Sequence, residues 1–223
     1  MRHILLVLAA AAAVVVAGAE PVLRQVTDFP TAVSSGVSDA DALFCDSWRL
    51  SVETANAGPW RTVPARCGAS VRAYMEGERY ASDSAVAAAE SLAFAAQAFA
   101  SGVGGAMPAW VFDVDETLLS NAPYYAVSGW GLQEFNETSF DAWRNATEEN
   151  LLFAGYHSWE KLILRQISDI GKTAVQYKSE RRAAMEAEGF KILGNSGDQW
   201  SDLIGLPMAT RSFKLPNPMY FIS

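Results

Sequence analysis

Apolar residues fall along this chain in short blocks of differing periodicity, and the blocks predict helices and strands in alternation. The first block is an unbroken run, residues 4 to 17 (ILLVLAAAAAVVVA). It follows the basic start Met1-Arg2-His3 and ends at Ala17-Gly18-Ala19, a small-x-small site. This is the layout of a secretory leader spanning residues 1–19, with the cut after Ala19. The run is shorter than the roughly 18–20 residues that span a bilayer, which disfavours a retained anchor. Residues 20–80 carry turn formers and little periodicity and read as an N-terminal extension. From Ser82 to Ala100 the segment SDSAVAAAESLAFAAQAFA consists of good helix formers, with Ser82 or Asp83 as the expected cap and Gly102 as the stop. The apolar run Ala109-Trp110-Val111-Phe112 reads as a buried strand of a parallel sheet.

Residues 120 to 143 are aromatic, turn-rich and aperiodic, which predicts a loop or small cap over a site. TEENLLFAGY from Thr147 predicts a capped helix ending at Gly155, and Lys161 to Arg165 a short strand. ERRAAMEAE predicts a helix capped by Ser179 and stopped by Gly189, with Phe190 to Leu193 as the next strand. Strands alternating with helices predict an α/β fold, a parallel sheet with helices on both faces, over residues 81–223.

Composition narrows the function classes. The 223 residues suit one domain with a small appendage, and 50% hydrophobic content can bury a core. A net charge of -8 argues against a phosphate-backbone binder, which needs a basic face. It is compatible with a small-molecule enzyme or a storage protein. Cys45 and Cys67 are an even pair, and an exported chain would join them in one disulfide, with two free thiols as the alternative. Two cysteines and two histidines are too few for a usual zinc site. Sequons at Asn136-Glu137-Thr138 and Asn145-Ala146-Thr147 make Asn136 and Asn145 candidate glycosylation sites.

The strongest chemical signal is Val111-Phe112-Asp113-Val114-Asp115-Glu116-Thr117-Leu118-Leu119. Three acidic groups within four positions, directly after a buried strand, need a cation to share, because burying an unpaired carboxylate is costly. Ligands of an open parallel sheet bind beyond the carboxyl ends of its strands, where Asp113 and Asp115 fall. The second signal, Gly197-Asp198-Gln199-Trp200-Ser201-Asp202, also follows an apolar strand. Asp198 and Asp202, four apart, share a face on a helical turn and with Asp113 could ligate Mg²⁺ through oxygen. Alone, this motif could equally be an acidic helix start. Lys178, expected just before a helix, could neutralise a carboxylate or a phosphoryl oxygen, although a lone lysine is more often a surface residue. Arg181 and Arg182 read as solvated helix residues.

DVDET, then a lysine, then GDQWSD resembles the phosphatases of the haloacid-dehalogenase (HAD) superfamily. The wider chain is similar to the plant acid phosphatases of class B type that include vegetative storage proteins. The similarity runs over FDVDETLLSNAPYYA, RNATEENLLFAGYHSWEKLILR, YKSERR to GNSGDQWSDLIG, and FKLPNPMYFI. The resemblance implies that Asp113 attacks phosphorus and that Asp115 acts as general acid, then base. It implies that Asp113, Asp198, Asp202 and the main-chain carbonyl of Asp115 bind Mg²⁺, and that Lys178 holds nucleophile and phosphate. The implied partner is a small phosphomonoester, with no nucleic acid, no membrane after leader cleavage, and a homodimer left open. The implied location is the secretory pathway, extracellular or vacuolar.

One family feature has no counterpart. Between DVDET and the lysine such phosphatases carry an apolar strand ending in Thr or Ser, typically LLTGR, whose hydroxyl binds the phosphoryl group. Thr138, Ser139, Thr147 and Thr173 follow no such strand. The similarity stops at Phe140-Asp141-Ala142-Trp143 and resumes at Arg144-Asn145-Ala146-Thr147, so a strand–helix unit of roughly 30 residues is expected to be missing at Trp143/Arg144. The leading expectation is a phosphomonoesterase lineage with reduced activity, and the alternative a non-catalytic vegetative storage-type glycoprotein. A glycan-binding or wall protein, resting on the aromatics at 124 to 143, is a minor third.

Overall fold

A computed structural model of the chain describes residues 4–9 (as backbone), 39–102, 106–136, 138–140 and 147–222. A five-stranded sheet forms its centre, ordered β3-β1-β2-β4-β5. The strands are β1 (Ile4–Ala9), β2 (Met107–Asp113), β3 (Lys161–Leu164), β4 (Phe190–Gly197) and β5 (Arg211–Lys214). β2, β4 and β5 run parallel, whereas β1 is antiparallel to both of its neighbours, β2 and β3. The helices are α1 (Asp39–Glu53), α2 (Gly68–Met75), α3 (Glu78–Ser101), α4 (Ala122–Val127), α5 (Thr147–Phe153), α6 (Ala174–Ala187) and the single turn α7 (Trp200–Leu203). Among the described residues no helix is long and apolar enough to cross a membrane.

Alternation along β2 sets the two faces of the sheet. Ala109 and Val111 are fully buried with Met185 of α6, Phe190 and Ile192. Trp110 points the other way, stacked 5.4 Å from Phe213 and meeting Phe94 of α3 edge-on at 6.2 Å. Gly194 in β4 permits that stacking, since a Cβ there would lie 2.4 Å from the Trp110 ring. Helices thus cover both faces, as the alternating pattern predicted.

Two helix starts lie earlier than the sequence suggested. α3 begins at Glu78 after Gly77, not at Ser82 or Asp83; its end at Gly102, with φ +74°, is the expected one. α6 begins after Thr173, not Ser179. Thr173 and Gln176 form a reciprocal capping box, Thr173 Oγ1 accepting from the Gln176 backbone N–H at 3.2 Å and Gln176 Oε1 from that of Thr173 at 3.1 Å. Lys178 therefore sits inside the helix rather than ahead of it.

The described part of the N-terminal extension, from Asp39 on, is largely helical and packed against the sheet domain. A Cys45–Cys67 disulfide joins α1 to the start of α2. Closing a loop of this size stabilises the fold by about 3 kcal/mol in the chain-entropy picture. Cys45, Val63, Cys67, Tyr74 and Met75 share one buried cluster with Tyr124, Tyr125, Trp130, Phe140, Met219 and Tyr220. At the carboxyl end of α1, Glu53 pairs with Lys214 at 2.7 Å and accepts the Asn217 backbone N–H at 2.9 Å. The N-terminal helices and the C-terminal strand region are thereby tied together next to the site.

Candidate active site

β2 and β4 are adjacent and parallel, so their carboxyl ends deliver Asp113 and Asp198 to the same edge of the sheet. α7 follows at once and brings Asp202. Gln199 caps this turn; its backbone N–H donates to Asp202 Oδ2 at 2.8 Å. Gly197 makes the fold-back possible, since a Cβ there would lie 2.3 Å from Asp202 Oδ2. As a result one carboxylate oxygen from each of Asp113, Asp198 and Asp202 lies within 4.8 Å of the others, and all three residues are buried.

Lys178, with 1% of its surface exposed, reaches this cluster from the second turn of α6. Its ammonium donates to Asp113 Oδ1 at 2.8 Å and also to Asp202 Oδ1. Burial alone would lower the Lys178 pKa, but the Asp113 and Asp202 carboxylates outweigh it and hold the ammonium charged. Burial, then the Asp202 charge, push the Asp113 pKa well up, with Lys178 opposing. Burial and Asp202 raise Asp198 to about 6, against hydrogen bonds from Asn217 at 2.6 Å and Gln199 at 2.8 Å to its Oδ2. Its other oxygen, Oδ1, is buried and has no hydrogen-bond partner among the described residues. Three buried carboxylates facing one ammonium, with an orphaned oxygen among them, fit a hard divalent cation.

Asp115, half-buried, lines the cavity above the cluster with Phe135, Phe140, Gln199 and Tyr220. Asn121 Nδ2 donates to Asp115 Oδ1 at 3.0 Å, and the Asn121 backbone N–H donates to Glu116 Oε1 at 2.6 Å. Glu116 is buried, adopts φ +56° and is raised to about 8, chiefly by burial. The aromatic segment at 120–140 does cover the site: Tyr125 stacks on Tyr220 at 5.2 Å, and Phe135 and Phe140 meet at 5.3 Å.

Several residues here carried no signal that the sequence reading used. Asn217 and Gln199 hold Asp198, and Asn121 holds Asp115. Arg182, expected to be solvated, is completely buried, a correction with a definite cause. It stands four residues after Lys178 on the same face of α6 and donates to the backbone carbonyls of Asp202, Ile204, Gly205 and Pro207. Those acceptors include the free carbonyl groups at the end of α7. Arg181 is half-exposed and pairs with the buried Asp169 at 2.5 Å. No Ser or Thr is among the described residues that line the cavity. Thr173 is occupied as the α6 cap. Asn136 is exposed, and its Oδ1 accepts from the Ser139 backbone N–H at 2.9 Å. Asn145, Trp143 and Arg144 lie outside the described residues, as does the Ala19 cut.

An α/β sheet presenting an Asp-x-Asp turn, a buried lysine and a second acidic pair at its carboxyl edge defines the HAD class of proteins. The chain belongs to the HAD superfamily, subfamily IIIB (acid phosphatase), whose family model matches residues 31–146 and 142–223. It is 44% identical over 218 residues to acid phosphatase 1 of Solanum lycopersicum, covering 82% of this chain and 85% of that protein. It is 34% identical over 232 residues to a stem 31 kDa glycoprotein of Glycine max, covering 87% and 90%. It is 32% identical over 219 residues to vegetative storage protein 2 of Arabidopsis thaliana, covering 80% of each. The two matched segments of the family model overlap over residues 142–146, which include Trp143/Arg144. With the Solanum protein, 82% of this chain is about 183 residues against 218 aligned positions, so about 35 positions there have no residue here.

Proposed function

We propose that this site binds Mg²⁺ and hydrolyses small phosphomonoesters at acid pH through a phosphoryl-aspartate on Asp113, at a rate well below that of relatives with the complete fold. The observation that carries the proposal is the convergence of Asp113, Asp198 and Asp202 within 4.8 Å around the Lys178 ammonium. Mg²⁺ would be held by these carboxylates and the Asp115 main-chain carbonyl, and would offset the repulsion between carboxylate and phosphate. The Asp113 carboxylate forms a bond to phosphorus as the bond to the leaving oxygen breaks. Asp115, held by Asn121, gives its proton to that oxygen. It then takes a proton from the water that attacks phosphorus and frees Asp113. Lys178 neutralises charge on the transferring group. Export through a leader ending at Ala19, towards the vacuole or cell exterior, and glycosylation at Asn136 and Asn145 are part of the same reading. The disulfide and the plant glycoprotein relatives support it.

A second reading, a non-catalytic storage glycoprotein, is favoured by the lack of a Ser or Thr among the described cavity residues and by the relatives named vegetative storage proteins. Titrating the purified chain with Mg²⁺ by calorimetry and assaying p-nitrophenyl phosphate with and without a chelator separates the two. Slow, chelator-sensitive hydrolysis that Asp113→Asn abolishes is expected. Mg²⁺ binding without turnover would move the chain to the storage reading, and hydrolysis indifferent to Asp113→Asn would overturn the mechanism.

A further inference from the structure

In a sheet whose β2, β4 and β5 all run parallel, β1 alone comes from the far N-terminus and runs antiparallel to both neighbours. Its register is continuous on both sides. Leu5 to Ala9 pair with Asp113 back to Ala109, and Ile4 to Val7 pair with Leu164 back to Lys161. β1 thus fills a slot one strand wide between β2 and β3, the chain-order neighbours on either side of the Trp143/Arg144 junction. About 35 positions of the Solanum relative have no counterpart in this chain, enough for one strand and its crossover, and the family match splits into two segments that overlap at residues 142–146, across that junction.

We infer that, in the chain that retains residues 1–19, Ile4–Ala9, the start of the apolar run of the leader-like segment, is a replacement strand that completes the sheet in place of the unit expected to be missing at Trp143/Arg144. Three features of the chain suit it to the role. An inner strand of a sheet with helices on both faces suits a continuous apolar run, and ILLVLA is one. An antiparallel strand can enter a parallel sheet from a distant terminus without a crossover helix. Without an occupant, β2 and β3 would each present a row of unpaired backbone groups in the middle of the fold. The replacement is structural only, because ILLVLA has no hydroxyl to stand in for the Thr or Ser of the missing strand. It also sets two fates of one segment in competition: cleavage after Ala19 would remove the strand that closes the sheet.

Hydrogen exchange with mass spectrometry on the full 223-residue chain, refolded with its disulfide, tests the inference without recourse to activity. Leu6→Pro removes a ladder hydrogen bond in the middle of β1, whereas Ala12→Pro, beyond the strand, is the control. Leu6→Pro is expected to speed exchange in 107–113 and 161–164 by at least about tenfold, by opening those strands locally. Ala12→Pro should leave both segments unchanged. Collapse of the whole chain in Leu6→Pro but not in Ala12→Pro supports the inference equally. The triple variant Leu5→Val, Leu6→Val, Leu8→Val, which keeps strand propensity, should retain full protection. Unchanged exchange in Leu6→Pro, or equal effects of the two prolines, would overturn the inference. A failure of Mg²⁺ binding or phosphate hydrolysis would leave these readouts untouched, so the two proposals fail separately.

Discussion

Lys178 and Arg182 are two buried cations one helical turn apart, and they do different work. Lys178 answers carboxylates, while Arg182 answers backbone carbonyls. Removing the first leaves three buried acids with no cation. Lys178→Met is therefore expected to destabilise the metal-free chain by about 3–5 kcal/mol, read as a lower urea midpoint, because breaking a buried pair strands its partner. Mg²⁺ should restore part of the loss. Asp169 is the opposite kind of acid, away from the cluster. The Gln166 backbone N–H, then Lys172 and Arg181, outweigh burial and hold it down at about 2, against an ordinary 3.8. A carboxyl whose folded pKa is depressed contributes its full stability above the unfolded value and loses it as pH falls through the folded one. The contribution of Asp169 should thus fade between about pH 3.8 and 2. Asp169→Asn should lower the unfolding midpoint at pH 6 and converge with the parent chain near pH 2, when midpoints are followed across that range.

At the scale of elements, the turn between β4 and α7 concentrates the most function in the fewest residues. Gly197 admits the Asp202 side chain, Gln199 caps the turn, and Arg182 closes its far end. Gly197→Ala places a methyl group against Asp202 Cβ and Oδ2 at 2.4 and 2.3 Å, so the turn must move. The expected cost is about 1–3 kcal/mol in stability, by overpacking, measured by urea unfolding. Mg²⁺ affinity should fall by about 10–100-fold, as for other groups that orient metal ligands, measured by calorimetry. Much of this element was legible beforehand. The apolar strand before Asp113, the acidic pair after β4 and the helix after Thr147 all follow from local pattern. The starts of α3 and α6 did not, because a capping box at Thr173 and a glycine at position 77 outweigh the serines downstream. The error at α6 then hid Arg182. With the helix begun at Ala174, Lys178, Arg182 and Met185 fall on one face, and a buried cation beside Lys178 becomes readable. Asn121, Gln199 and Asn217 reach their acids through tertiary folding, which a single sequence does not display.

At the scale of the whole molecule, the residues proposed to bind metal and to attack phosphorus are assembled, while no Ser or Thr is among the described residues lining the cavity. The carboxyl ends of β2 and β4 assemble Asp113, Asp198 and Asp202, and α6 supplies Lys178, all from segments on either side of the Trp143/Arg144 junction. Phosphoryl transfer is mostly positioning and charge stabilisation. On the proposed reading Lys178 meets one phosphoryl oxygen, and the described cavity residues include no Ser or Thr hydroxyl for another. Losing one such donor costs about 3–4 kcal/mol in the transition state. The 223-residue chain should therefore hydrolyse p-nitrophenyl phosphate at least about 100-fold more slowly than a relative with the complete unit, compared by kcat/KM under the same Mg²⁺ and pH. Inserting a strand–helix unit that ends in LLTGR between Trp143 and Arg144 should raise the rate, and Asp113→Asn in the extended chain should abolish the gain. Changing the inserted Thr to Val separates chemistry from folding. If the hydroxyl supplies the missing contact, this change returns the rate towards that of the short chain while the unfolding midpoint stays with the extended one. If the insert acts only by completing the sheet, the Val form keeps the gain. Full activity in the short chain would show instead that a different residue already makes the phosphate contact.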